Sequence, residues 1–296
     1  MKILYDMIFK ESYETFGDRY CKFFRPKKKR FMQIYKGPKN EEKLWKRIDR
    51  YADKVRIEDC HDMPEKFYNT IYVEMTPEEK KAHNELLSEC LTEIGGAEIA
   101  TSALLRSRKL TQITSGFLYI KGEDTYRFPN PSKIQSLSAE LEKVIDSGKK
   151  AIVWAGFHES IKMICEMLEE RGWKFSLVSG YDTKLTDKKR HKEVWNFKNK
   201  DNVRIIVANP SMLGVGTDLS VALHSMYYEN DYRLEFRVQS EARNRTHESK
   251  EKHGNRVIYT DFIAKGSIDR VVLAALQSRK DFLAFINKSK LSKLKG

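Results

Sequence analysis

Beyond Pro129-Asn130-Pro131 the chain alternates between apolar positions spaced three and four apart and short, uninterrupted apolar runs. The first pattern predicts amphipathic helices and the second buried strands. Ile134, Leu137, Leu141, Val144 and Ile145 share one face of a helix capped by Ser132 and stopped by Gly148. A strand follows over 151–155, then helix over 158–171, strand over 174–178, helix over 186–200 and strands over 203–208 and 223–228. The pattern ends with helix over 234–245, strand over 256–262 and a helix from the Ser267 cap to Asn287. Apolar runs separated by helices predict an α/β fold, a parallel sheet covered on both faces with its functional loops at the carboxyl ends of the strands.

Upstream of the prolines the pattern reads as helices and loops. Tyr5, Phe9, Tyr13, Phe16, Tyr20, Phe23 and Phe24 fall on a roughly helical stripe, which reads as mostly core and not as a base-stacking platform. Thr76-Pro77-Glu78-Glu79 supplies a hydroxyl cap, a first-turn proline and acids that complement the helix dipole. The helix it opens is expected to run through Leu86, Leu87 and Leu91 to Gly95-Gly96, with another over 100–112. Two regions are therefore expected, a mainly helical one over 1–131 and an α/β one over 132–296.

Charge narrows the partner. The net charge is +13, with +8 on residues 1–50 (15 basic against 7 acidic), −4 on 51–130 and +9 on the remainder. Such a balance favours a polyanion, although a solvated basic surface gives the same composition. The run Arg25-Pro26-Lys27-Lys28-Lys29-Arg30 and the helix start Lys188, Lys189, Arg190 and Lys192 are the densest basic stretches, the second read as a solvated face. Cys21, Cys60, Cys90 and Cys165 show no C-x-x-C spacing, and Cys60-His61 has no second pair nearby, so a zinc site is not expected and reduced cytoplasmic thiols are. Asp6 and Lys10 interrupt the apolar N-terminus, which excludes a signal peptide there, and no stretch reaches the roughly 18 apolar residues of a membrane span.

The chemistry concentrates in 208–246. Ala208-Asn209-Pro210-Ser211-Met212-Leu213-Gly214-Val215-Gly216-Thr217-Asp218 offers a Gly-x-Gly loop with a carboxylate, and Gln239-Ser240-Glu241-Ala242-Arg243-Asn244-Arg245-Thr246 a helix bearing Gln and two Arg. Close backbone approach, a hydroxyl partner and fixed positive charge are what a phosphate-handling surface needs. Phosphoryl transfer also needs a nucleotide cradle and a metal holder. None of the 15 glycines lies in G-x-x-x-x-G-K-[ST], since Gly148-Lys149-Lys150 lacks the upstream Gly and the hydroxyl, and no apolar strand ends in an Asp-Glu pair. By its own residues the chain is expected not to hydrolyse ATP alone.

In these blocks the chain resembles the C-terminal half of a superfamily-two helicase of the Swi/Snf type, in the compact form common in bacterial and phage genomes. The likeness extends to Lys150-Ala151-Ile152-Val153-Trp154-Ala155-Gly156-Phe157, the family's motif IV strand, and to Leu177-Val178-Ser179-Gly180, where the family reads Leu-x-His-Gly. It includes Tyr51-Ala52-Asp53-Lys54-Val55-Arg56, Met63-Pro64-Glu65-Lys66 and Val73-Glu74-Met75-Thr76-Pro77-Glu78-Glu79, and it spans about residues 10 to 285.

The resemblance implies a RecA-like lobe over 132–296, preceded by a region like the family's inter-lobe insertion. It implies the second motor lobe of an ATP-dependent translocase or helicase, with ATP and Mg²⁺ held only together with a first lobe, on a separate polypeptide or in a longer enzyme of which this is a remnant or fragment, and with DNA favoured over RNA. Gly214, Gly216, Asp218 and Gln239 fall to the nucleotide. Ser179, Gly180, Asn209 and Ser211 fall to the polynucleotide backbone, which they would position without reading sequence. Arg243 matches the first arginine of motif VI. Ala242 replaces its usual Asp, and Thr246 stands at the second arginine with Arg245 one residue early, an offset that turns a helical side chain by about 100°. Asp218 replaces the usual Asn; it can accept from a ribose hydroxyl or cap its own loop. A non-enzymatic module that kept the fold and lost catalysis is the alternative, whereas a flavodoxin-type mononucleotide enzyme leaves Gln239 and Arg243 unexplained.

Overall fold

The computed structural model describes residues 9, 11–24, 34–49, 51–52, 60, 62–93, 99–120, 125–180, 186–213 and 217–278. The chain divides into two compact units between His61 and Asp62, whereas the sequence pattern changes at the prolines 129–131. In the first unit, helix α1 (Tyr13–Tyr20) leads into the antiparallel pair β1 (Cys21–Phe24) and β2 (Ile34–Pro38), followed by α2 (Glu41–Ile48). Ser12 caps α1 by accepting from the Thr15 N–H. Phe9 meets Phe16 and Tyr20 edge-on, with Phe9–Phe16 centroids 4.8 Å apart, and Phe16 and Tyr20 pack at a tilt. Arg47 lies over the Phe9 ring and donates to its carbonyl at 2.7 Å. Part of the aromatic stripe is thus core, but Tyr13 is 82% exposed; Tyr5 and the basic run 25–30 lie outside the described residues.

The second unit is built on six strands. They are β3 (Glu65–Val73), β6 (Ala151–Trp154), β7 (Phe175–Val178), β8 (Ile205–Ala208), β9 (His224–Tyr227) and β10 (Arg256–Ala264), in the order β3-β10-β9-β6-β8-β7. Every neighbouring pair is parallel, which confirms the α/β reading. A two-residue pair, β4 (Phe117–Leu118) with β5 (Tyr126–Arg127), stands apart from this sheet.

Strand alternation sends Val153, Val207 and Met226 to one face and Ile152, Ile206 and Tyr227 to the other, and a separate buried cluster forms on each. Helices α5 (Ser132–Asp146) and α6 (His158–Glu170) contribute Leu137, Leu141, Ile161 and Ile164 to the first cluster. Helix α7 (Asp187–Asn199) contributes Phe197 to the second. Gly148, at φ +74°, ends α5 as expected, with the Gly148 and Lys149 N–H groups bonded to the Ile145 and Val144 carbonyls. Ser132 is the first residue of α5 and not its cap: its N–H and hydroxyl donate to Glu79.

Among the described residues 1–131 carry more helix than strand, as expected, but strands fall there too, and β3 was not foreseen. β3 completes the large sheet through all nine of its residues. It is an edge strand exposed on both faces (Phe67, Tyr68 and Tyr72 are 49, 56 and 57% exposed), so no two-residue alternation marks it in the sequence. The helices α3 (Pro77–Glu93) and α4 (Ile99–Thr114) were foreseen, and α3 opens with a capping box in which Thr76 and Glu79 satisfy each other's N–H groups. Leu87 and Leu110 pack with Ile268, Val272 and Leu276 of α10 (Ile268–Gln277) in a third cluster. Gly95-Gly96 and the continuation of α10 toward Asn287 lie outside the described residues. No helix among those described is long and apolar enough to cross a membrane. Burial pushes the Cys165 thiol up to about 12, which makes it unreactive.

Candidate functional site

At the carboxyl edge of the sheet three loops converge, those after β6, β7 and β8. The Asn209 N–H bonds the Val178 carbonyl at 3.2 Å, and its side-chain amide donates to the Gly156 carbonyl at 3.0 Å. Its Oδ1 accepts from the Ser211 N–H (2.9 Å) and hydroxyl (2.6 Å). Gly180 faces Met212 and His158, so a Cβ there would meet Sδ at 3.8 Å and Nε2 at 4.0 Å. The predicted polynucleotide residues are thus brought together. Ser179, however, is fully buried, which leaves Gly180, Asn209 and Ser211 to face solvent.

Beside them lies a cleft of about 290 Å³ lined by Arg108, Phe157, Asn209, Ser211, Asn230 and Tyr232 among others. It sits between β6 and β9, where the strand order reverses and doubly wound sheets take their ligands. In such a fold the start of the helix after the first strand is a ready anion site. Here that position is filled from within. Glu229 accepts from the Gly156 N–H (2.8 Å), the Phe157 N–H (2.9 Å) and the Ser160 hydroxyl (2.8 Å). Burial raises the Glu229 carboxyl above its ordinary range, against the pull of these donors and of Lys133. The strand-end Glu229 has no motif around it that announces this role.

The second group of predicted residues gathers at helix α8 (Leu234–Asn244). Gln239 and Arg243, four residues apart, share one face of it. The Leu219 N–H bonds the Arg243 carbonyl at 2.9 Å, and Asn244 links to Ser225 and Ala222, which lays the loop carrying Asp218 along the end of α8. The half-buried side chains of Gln239 and Arg243 make no hydrogen bond or ion pair among the described residues. Burial lowers the Arg243 guanidinium from its ordinary value, with no carboxylate to offset it. Gly214 and Gly216 lie outside the described residues.

Asp218 and Arg245 are committed elsewhere. Asp218 accepts from Lys198 of α7 at 2.5 Å and from the Ser220 N–H at 2.9 Å. Burial raises its carboxyl, but Lys198 and Ser220 outweigh burial and hold it below the ordinary range. Arg245 has left the helix (φ −102°, ψ 85°), and its Nε donates to the Pro64 carbonyl at 2.9 Å. The next helix, α9 (His247–His253), begins at once behind the Thr246–Ser249 capping box. Of the two arginines in the motif, one remains uncommitted and the other pins the loop before β3.

Sequence reasoning missed the side chain that sets the face of α8. Arg237 is buried, donates to both Asp261 oxygens (2.5 and 3.0 Å), to Glu241 (2.7 Å) and to Asn230 (2.8 Å), and stacks 3.6 Å from the centre of the Tyr227 ring. Lys66 of β3 closes the network on Glu241 at 2.6 Å. A guanidinium with its donors so divided between β10 and its own helix fixes the rotation of α8, and hence where Gln239 and Arg243 point. Among the described residues no three His, Cys, Asp or Glu side chains converge to hold a metal ion. On the α8 face Arg243 is thus a guanidinium that no carboxylate among the described residues offsets.

No family model matches the chain. A Swi2/Snf2 ATPase C-terminal domain from Sulfolobus solfataricus superposes with a TM-score of 0.59 at 18% identity, over 78% of this chain and 98% of that one. The C-terminal part of the Fun30 ATPase domain does so with 0.57 at 14% identity, over 79% and 96%. The S. solfataricus Swi2/Snf2 ATPase core in complex with dsDNA gives 0.61 at 18% identity, over 86% of this chain and 56% of that one. In sequence, an uncharacterized ATP-dependent helicase of Mycoplasma pneumoniae is 22% identical over 228 residues, and one of Mycoplasma genitalium 22% identical over 269. The matches cover 75% and 88% of this chain but only 21% and 25% of the length of those relatives. The fold is that of the RecA-like C-terminal lobe of Swi2/Snf2 ATPases.

Proposed function

We propose that this chain is the second motor lobe of an ATP-dependent nucleic-acid translocase or helicase that acts on duplex DNA, and that it is inactive without a first lobe. The observation that carries this reading is the Gln239–Arg243 face: an uncommitted, half-buried guanidinium on a helix whose rotation is fixed by Arg237. A guanidinium held in place without a carboxylate stabilises charge brought to it from outside. ATP and Mg²⁺ would be cradled by the first lobe, supplied by a separate polypeptide or a longer version of this one. This lobe contributes Arg243 to the transferring phosphoryl group and Gln239 beside it, while Gly180, Asn209 and Ser211 receive the polynucleotide backbone.

Two measurements test the proposal. The pure chain is expected to show no nucleic-acid-stimulated ATP hydrolysis; turnover abolished by mutating one of its own residues would overturn the half-site argument. Its nucleic-acid binding is expected to be insensitive to sequence and to fall steeply with salt, because phosphate contacts release counterions and a protein with 6–10 of them loses about 10³–10⁵ in affinity between 50 and 200 mM salt. Affinity that stays constant across that range contradicts phosphate-borne binding. A second reading, a non-catalytic nucleic-acid-binding module, draws support from Arg245, whose commitment to Pro64 leaves one arginine where the motif carries two.

A further inference from the structure

Helix α7 carries a face that neither the sheet nor the loops use. Its sequence, DKKRHKEVWNFKN, buries Phe197 against the sheet. At 100° per residue, Lys188, Lys192, Trp195 and Asn199 fall within about 60° of one another on the opposite side, and all four are exposed. Trp195 is 57% exposed, and no ring contact or cation covers it among the described residues. Asp187, the acid of the first turn, is taken by Arg190 at 2.8 Å. Lys188 and Lys192 are left without an ion-pair partner among those residues.

Basic residues in the first turns of a helix oppose its dipole, so the clustering of Lys188, Lys189, Arg190 and Lys192 strains the isolated helix. A polyanion relieves that strain. Position favours the same partner: in a parallel sheet the helix after β7 starts at the carboxyl edge, the edge that holds Gly180, Asn209 and Ser211. Phosphates alone do not account for Trp195. An indole beside unpaired lysines has the chemistry of a stacking platform for a nucleobase, which aromatic side chains bind regardless of base identity. Bases inside a duplex are already stacked, so the complementary surface is a strand with an unpaired base.

We propose that the Lys188–Lys192–Trp195 face of α7 binds unpaired nucleic acid, with Trp195 stacked on a base and the two lysines on the flanking phosphates. This adds a single-strand contact beside the backbone track proposed above and rests on the nucleic-acid part of that reading, not on its duplex part.

The test uses the full chain and three end-labelled probes of equal length: a single strand, a blunt duplex and a single strand carrying abasic sites. Anisotropy titrations are expected to show Trp195→Ala binding the intact single strand about tenfold more weakly, with the duplex unchanged within about twofold. The wild-type chain is expected to lose the same factor on the abasic strand, Trp195→Ala to lose nothing further there, and Trp195→Phe to fall between the two. Lys188→Glu/Lys192→Glu is expected to weaken all three probes and to lower the salt dependence by about two phosphate contacts. Trp195→Ala binding the intact single strand as tightly as wild type, or losing duplex equally, overturns the stacking proposal and leaves the lobe reading standing. Failure of the wild-type chain to bind any probe removes the nucleic-acid reading and this proposal with it.

Discussion

With a first lobe present, Arg243→Ala is expected to lower ATP turnover by about 10³-fold or more, while assembly and nucleic-acid affinity stay close to wild type. The side chain makes no hydrogen bond or ion pair among the described residues, so its removal breaks no contact that holds α8 in place. That task falls to Arg237, through Asp261, Glu241 and the Tyr227 ring. An arginine whose charge meets the phosphoryl group mainly in the transition state affects kcat far more than KM. Arg245→Ala is the informative companion. Its Nε holds the Pro64 carbonyl ahead of β3, so the expected result is a modest loss of stability with turnover largely kept. Single-turnover hydrolysis and equilibrium binding on the same preparations separate the outcomes. Near-wild-type rates for both variants would show that this lobe supplies no arginine to the reaction, and the non-catalytic module would become the better reading.

The sheet lobe was legible because its signals are local. Leu137, Leu141 and Val144 repeat at helical spacing and Gly148 takes the left-handed conformation that ends α5, so a short window of sequence contains the whole reason for the element. β3 was not legible in the same way, since both of its faces meet solvent and its parallel partner, β10, lies about 190 residues later. The site shows the same division. Asn209, Ser211, Gln239 and Arg243 come from two short motifs, the first pair bonded together after β8 and the second pair on one face of α8. The partners that decide what they can do are distant in sequence: Lys198 takes Asp218, Pro64 takes Arg245, and Glu229 fills the start of α6. A one-residue offset was enough to cast doubt on Arg245, but no periodicity could indicate that its alternative partner precedes β3.

The other large effect concerns stability. Asp269→Ala is expected to cost about 3–5 kcal/mol, because it strands a charged Lys133 inside the fold. Lys133 is fully buried and reaches Asp269 at 2.6 Å and the Tyr228 carbonyl at 3.4 Å. Asp269 also accepts from the Thr114 hydroxyl (2.9 Å) and the Ala264 N–H (3.1 Å). One carboxylate therefore ties α4, α5, β10 and α10 together, within the compact unit that the helices upstream of the prolines share with the sheet. Denaturant titration followed on the buried Trp154 measures the loss, with the change read from the midpoint at constant slope. Lys133→Met/Asp269→Leu is expected to recover most of it, since well-packed apolar residues replace a buried pair at little cost whereas half of a pair is worse than none. The Thr114 hydroxyl then turns its proton to the Thr111 carbonyl, which lies at 3.0 Å. A double-mutant cycle in which Asp269→Leu and Lys133→Met add independently, or an Asp269→Ala variant that loses less than about 1 kcal/mol, would show that the helical region is held to the sheet by other contacts, such as the Leu87, Leu110 and Val272 cluster and the Glu79–Ser132 bonds.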